Sequence, residues 1–285
     1  MTSSTRSLII GSLAGCALLG MVLSAGLVGK GTSIPGTPGV AWGPNVRSRV
    51  LLQQDIDALP TTDALNLRIT ELEMEPGTRI FEHSQIGPGA HVVVRGEITV
   101  EMAEGGRAER YQEGQAYFEG IGPLHQAVNQ GPRTNRVLMF DMLPAARGFD
   151  GTQRFTARGR HNAGELRSGP YGQVPLSALP PGPLMLRVSE LRFGPKAKTV
   201  EHTRLGPVVF FVAEGSAHIR KDWANSSLTH GTDGYAFETG SEAFILENKP
   251  AVPARYLSVE ILPRSVGNGP STVPTGRAER ESSED

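Results

Sequence analysis

Leu67-Arg68-Ile69-Thr70-Glu71-Leu72 and Leu186-Arg187-Val188-Ser189-Glu190-Leu191 are one phrase written twice, 119 residues apart. The same offset carries Pro76 onto Pro195, Glu82-His83 onto Glu201-His202, Gly87-Pro88 onto Gly206-Pro207 and Gly96 onto Gly215. It still holds where Val137-Leu138-Met139-Phe140-Asp141-Met142-Leu143-Pro144 meets Tyr256-Leu257-Ser258-Val259-Glu260-Ile261-Leu262-Pro263. A fixed period kept over about seventy residues means two copies of one domain. Within each copy the pattern is that of strands. Leu67, Ile69 and Glu71 fall on one face, and Arg68, Thr70 and Leu72 on the other. Val92-Val93-Val94 and Val208-Val209-Phe210-Phe211-Val212 are short apolar runs, and Arg95-Gly96 and Glu214-Gly215 are turn signals. Turns recur at about 8 to 12 residues, as in sandwiches and barrels.

Composition agrees. Gly (35) and Pro (21) make up about a fifth of the 285 residues, which suits short strands and turns better than helices. Lys and Arg number 28 against 29 Asp and Glu, so the basic excess of a nucleic-acid binder is missing. The one cysteine, Cys16, lies in a hydrophobic start, so the repeats have no disulfide, zinc–thiolate site or cysteine nucleophile.

Residues 8–28 form an apolar run long enough to cross a bilayer as a helix, with Arg6 before it and Lys30 after it. Three readings stay open. The run is a retained anchor, or a cleaved signal ending near Ser24-Ala25-Gly26, or a lipoprotein leader built on Leu13-Ala14-Gly15-Cys16. Each places the protein in or outside a membrane, membrane-anchored or secreted and extracytoplasmic.

The two copies also carry motif spacings. Gly77, then five residues, then His83, with Gly96 thirteen residues later, resembles the first motif of the cupin superfamily. Gly114, five residues, Gly120-Ile121-Gly122, two residues, His125, three residues and Asn129 resembles the second, with Gly120 in place of the usual Pro. With the repeat, the chain resembles a tandem cupin, or bicupin. The resemblance implies an all-β fold, with two tandem cupin-type jelly-roll β-barrels after an N-terminal hydrophobic helix. The expected plan is an anchor or signal over residues 1–30, a Gly/Pro/Ser linker over 31–54 and barrel one over 55–145. A connecting segment follows over 146–179, part of it packing on a barrel, then barrel two over 180–263 and a disordered tail over 264–285.

In metal-binding cupins the first motif supplies His-x-His and then Glu, and the second supplies a third His. Here His83 and His125 stand in the first and third histidine positions, while Gln85 replaces the second and Gly89 the Glu. His91, two residues beyond Gly89 on the same side of a strand, is a candidate replacement ligand. The expected metal ligands are therefore His83, Gln85, His91 and His125, for a divalent transition metal: Fe, Mn, Zn, Ni or Cu. Without a metal, His83 and His125 are an acid/base pair in an apolar cavity, or polar residues satisfied by their neighbours. Tyr117 is a candidate cavity residue, and Glu119 lies in the same stretch without being counted as a ligand. His161, His218 and His230 read as exposed.

The second copy keeps His202, but Arg204 and Val208 take the places of His and Glu, and Phe244 lies near the place of the third His. A guanidinium cannot bind a metal. Barrel two is expected to be metal-free, either structural or holding an anion through Arg204. Three functions follow: a metal-dependent oxygenase or isomerase acting on a small organic molecule, a non-catalytic small-molecule binder, and a structural scaffold assembling as a homodimer. Catalytic residues are not assigned.

Overall fold

The computed structural model describes residues 42–62, 64–147 and 166–275, together with Ile34–Pro35. The apolar run of residues 8–28 and its expected helix lie outside these, and no described helix is long and apolar enough to cross a membrane. Strands dominate: β1 (Ile34–Pro35), β2 (Val46–Ile56), β3 (Leu65–Met74), β4 (Arg79–His83), β5 (Gly89–Arg95), β6 (Glu97–Met102), β7 (Ala108–Gln112), β8 (Ala116–Glu119), β9 (His125–Val128) and β10 (Asn135–Pro144). They continue as β11 (Leu166–Pro175), β12 (Leu184–Phe193), β13 (His202–Arg204), β14 (Val208–Glu214), β15 (Ser216–Lys221), β16 (Ser226–Gly231), β17 (Tyr235–Glu238), β18 (Ile245–Glu247), β19 (Ala254–Pro263) and β20 (Thr272–Pro274).

The first copy folds as two facing sheets, β11-β3-β10-β5-β8 and β4-β9-β6-β7. The second folds as β1-β2-β12-β19-β14-β17 facing β16-β15-β18, with the ribbon β13-β20 beside them. Pairing register repeats with the sequence. Leu72 lies opposite Val137, and 119 residues on Leu191 lies opposite Tyr256. Gly96 (φ 76°) and Gly215 (φ 82°) make the same tight turn, each packed so closely on the start of β10 or β19 that a side chain would crowd Asn135 or Ala254. Asn129 donates from Nδ2 to the carbonyls of Met74 (2.7 Å) and Arg133 (2.9 Å). Asn248 does the same to Gly194 (2.9 Å) and Val252 (2.7 Å). The motif asparagine therefore ties a loop to the barrel wall, satisfying buried carbonyls rather than serving a ligand.

Three apolar cores result. Leu72, Met74, Val93, Tyr111, Tyr117 and Met139 fill barrel one. Leu191, Phe193, Phe210, Phe244 and Tyr256 fill barrel two. The largest lies between the barrels, where Leu67, Ile69, Leu138 and Phe140 meet Leu186, Val188, Val209 and Phe211. Each long sheet is thus buried on both faces.

Two strands change partners, and here the structure departs from the expected boundaries. Residues 46–54, expected as linker, belong to β2, which crosses to barrel two and pairs along β12. Within the connecting segment, β11 adds to barrel one along β3. Both strands extend a sheet whose edge the inter-barrel core would otherwise leave open. The tail was expected to be disordered from residue 264, but it runs through β20, which pairs with β13. Arg187 holds this segment, donating to Gly269 O (2.9 Å) and Gly267 O.

Candidate metal centre

The site forms in barrel one where its two sheets meet. Strands β4 and β9 pair so that His83 faces His125, with ring centroids 4.4 Å apart. Each ring is aimed by its own backbone. His83 Nδ1 lies 2.8 Å from Phe81 O, and His125 Nδ1 lies 3.1 Å from Pro123 O. A carbonyl only accepts, so each Nδ1 carries the proton and each Nε2 turns its lone pair to the interior.

Opposite them stands Glu119 at the end of β8. One ligand atom from each of His83, Glu119 and His125 falls within a cluster no more than 4.8 Å across, and all three residues are buried. His125 Nε2 lies 3.2 Å from Glu119 Oε2 yet has no well-directed hydrogen bond, so a buried lone pair is left over. Two inward imidazole nitrogens and one carboxylate, with a leftover lone pair, form a donor set that fits a divalent metal.

The remaining expected residues surround this set. Gln85 donates from Nε2 to Glu119 Oε2 (2.6 Å), and the same nitrogen lies 3.4 Å from His83 Nε2. His91 sits one step behind: its Nε2 is 3.0 Å from Asp141 Oδ1 and its Nδ1 is 3.6 Å from Glu119 Oε2. It lies outside the three-residue cluster and braces the carboxylate. Tyr117 packs edge-on against His91 and stacks on Tyr111, walling the site. Of the histidines read as exposed, His161 lies outside the described residues. His218 is largely buried, with Nδ1 2.7 Å from Thr229 Oγ1.

Electrostatics follow the geometry. Burial alone raises the Glu119 carboxyl, but His91, His125 and His83 outweigh it and hold the group well below the usual carboxylate range. For His91, burial pulls the pKa down, yet Glu119 and Asp141 raise it above the ordinary value. Burial also opposes protonation of His125, and Glu119 reverses that. His83 is lowered, by burial first and then by His125.

Sequence reading noted Glu119 in the second motif's stretch but did not count it as a ligand, although Phe118-Glu119 returns as Phe237-Glu238 at the same offset. In barrel two the corresponding carboxylate is tied up. Glu238 is ion-paired with Lys221 (2.7 Å), which stands at the place of Met102. Phe244 takes the place of His125 and lies 4.6 Å, ring to ring, from His202. Arg204 bonds Glu260 at 2.9 Å.

No family model matches the sequence, and no curated protein matches it. Among solved structures the chain is similar to oxalate decarboxylase from Bacillus subtilis, at 13% identity, 87% of this chain, 79% of that chain and a TM-score of 0.50. It is also similar to the coconut allergen cocosin, at 9% identity, 74% of this chain, 84% of that chain and a TM-score of 0.50. At such identities the likeness is one of fold.

Proposed function

We propose, for a chain whose fold is that of the bicupins, that barrel one is a metal-dependent enzyme acting on a small organic molecule, as an oxygenase or isomerase. The convergence of His83, Glu119 and His125 carries this reading. Two histidines and one carboxylate, leaving positions open, are the donor set of non-haem iron sites. When bound, a divalent ion there supplies a Lewis acid for a substrate carbonyl or a seat for dioxygen.

The chain's own residues prepare that site. The Phe81 and Pro123 carbonyls fix the tautomers of His83 and His125. Glu119 supplies the anion that two neutral imidazoles lack. Asp141 holds His91, and His91 in turn stands against Glu119 and keeps it from swinging out. Tyr111, Tyr117, Val137 and Met139 line the interior and exclude water. Gln85 keeps its amide on Glu119, near the place of the motif's second histidine.

Gln85 also favours a second reading. Its amide hydrogens already satisfy Glu119, as a cation would, and that suits a metal-free pocket that binds a small molecule without transforming it. The deciding experiment is elemental analysis of purified protein after supply of Fe, Mn, Zn, Ni and Cu in turn. Stoichiometric metal that disappears in Glu119→Gln supports the enzyme. Absence of every metal, with thermal stabilisation by small organic ligands, supports the binder. The apolar run of residues 8–28 fits delivery of the barrels to or across a membrane. Fractionation of cells expressing the full chain tests this.

A further inference from the structure

We propose that barrel two binds a small oxyanion, a carboxylate the size of formate or acetate, on the free edge of Arg204. The inference does not depend on a metal in barrel one. A cavity of about 40 Å³ lies at the mouth of barrel two, lined by Trp42, Arg187, Arg204, Ser258, Glu260 and Thr272, among others. At about 10–15 Å³ for a single water, it has room for roughly three, or for one small carboxylate.

Its charge is unbalanced. Two guanidiniums, Arg187 and Arg204, line it against one carboxylate, Glu260. Each nitrogen of Arg187 has a partner: Nε donates to Gln53 Oε1 (3.0 Å), Nη1 to Gly269 O (2.9 Å), and Nη2 to Gly267 O. Arg204 commits only Nη1, to Glu260 Oε1 at 2.9 Å and to Ser271 Oγ at the long distance of 3.5 Å. Its Nε and Nη2 have no hydrogen-bond partner among the described residues, although the side chain is 1% exposed. Those two N–H groups form one edge of the guanidinium, the fork that a planar carboxylate matches with two parallel bonds. The Ser258 and Thr272 hydroxyls, which line the same cavity, are also buried without partners.

The rest of the site is built to hold that fork. Arg204 lies over the rings of Trp42 (5.5 Å) and Phe210 (5.2 Å), which leaves its edge rather than its face for a ligand. Asn268, Gly269, Pro270 and Ser271 close the mouth, anchored by Arg187. A buried net positive charge with unspent donors is costly, and an anion is the partner that removes the cost.

The test is titration of the full chain with sodium formate and sodium acetate, followed by calorimetry, with sodium chloride as a separate arm. Saturable binding of a carboxylate, weakened about tenfold or more in Arg204→Gln, is expected. Because that variant leaves Glu260 buried and unpaired, Arg204→Gln/Glu260→Gln is measured beside it and should also lose binding. Glu260→Gln alone removes the competing carboxylate and should bind more tightly than the parent. No carboxylate binding by the parent, binding unchanged in the double variant, or chloride binding as well as formate would each overturn the proposal.

Discussion

Glu119 stands directly across the β5–β8 ladder from Gly89. Opposed residues of an antiparallel pair project to the same side of the sheet. The carboxylate that the first motif lacks at position 89 is therefore presented from the neighbouring strand. The room left at Gly89 is taken by Asp141, whose Oδ1 a Cβ there would overlap, and by His91.

Gly89→Ala should accordingly be harmful although its backbone is unstrained. The added methyl must push Asp141 off His91, at a cost of about 1–3 kcal/mol as for other overpacked interiors. Urea unfolding would register this as a lower midpoint at constant slope, and Gly114→Ala is no comparison because its φ is positive (80°). A midpoint equal to the parent's would mean that the space at Gly89 is open.

Gln85→His restores the second histidine of the first motif. The amide that now hydrogen-bonds Glu119 is replaced by a third imidazole donor. Metal affinity, read by competition with a chelating dye, should rise by about tenfold or more. A fall would show that Gln85 itself supplies a needed ligand atom through its oxygen.

Residues 55–145 alone should not fold as a monomer. They lack β11, which borders β3, and they expose the face of Leu67, Ile69, Leu138 and Phe140. Circular dichroism and size exclusion should show loss of strand signal or aggregation, whereas a chain beginning at residue 42 keeps both exchanged strands and stays folded. A soluble, folded monomer of 55–145 would contradict the shared core.

His202 makes barrel two sensitive to acid. Burial, and then Arg204, lower its pKa from the ordinary 6.5 to about 3. Between those values the unfolded chain binds a proton that the folded chain does not, so stability falls as pH drops from 6.5 toward 3. The slope from this one group is about 1.4 kcal/mol per pH unit. In His202→Gln that component should vanish, leaving a flatter profile of unfolding midpoint against pH. An unchanged profile would show that the ring is not neutral in the folded state.

Much of this was legible in the sequence because the repeat is rigid: strand registers, turn glycines and capping asparagines all recur at 119 residues. What escaped depends on contacts far apart in the chain. β2 reads as the end of a linker because Arg47, Arg49, Gln53 and Gln54 dilute its apolar residues, and only its pairing with β12 explains Leu51 and Leu52 as core. Nothing local says that it crosses to the other barrel. Glu119 was noted but not counted as a ligand because the carboxylate was sought at the place of Gly89 on its own strand rather than across the ladder.

The central claim is that His83, Glu119 and His125 hold one divalent metal in barrel one. It is tested most directly by metal content per chain in four proteins: the parent, Glu119→Gln, His83→Ala/His125→Ala and His202→Ala. The account predicts a stoichiometric ion in the parent and in His202→Ala, and its loss in the other two. Metal retained in Glu119→Gln, or lost in His202→Ala, would contradict it.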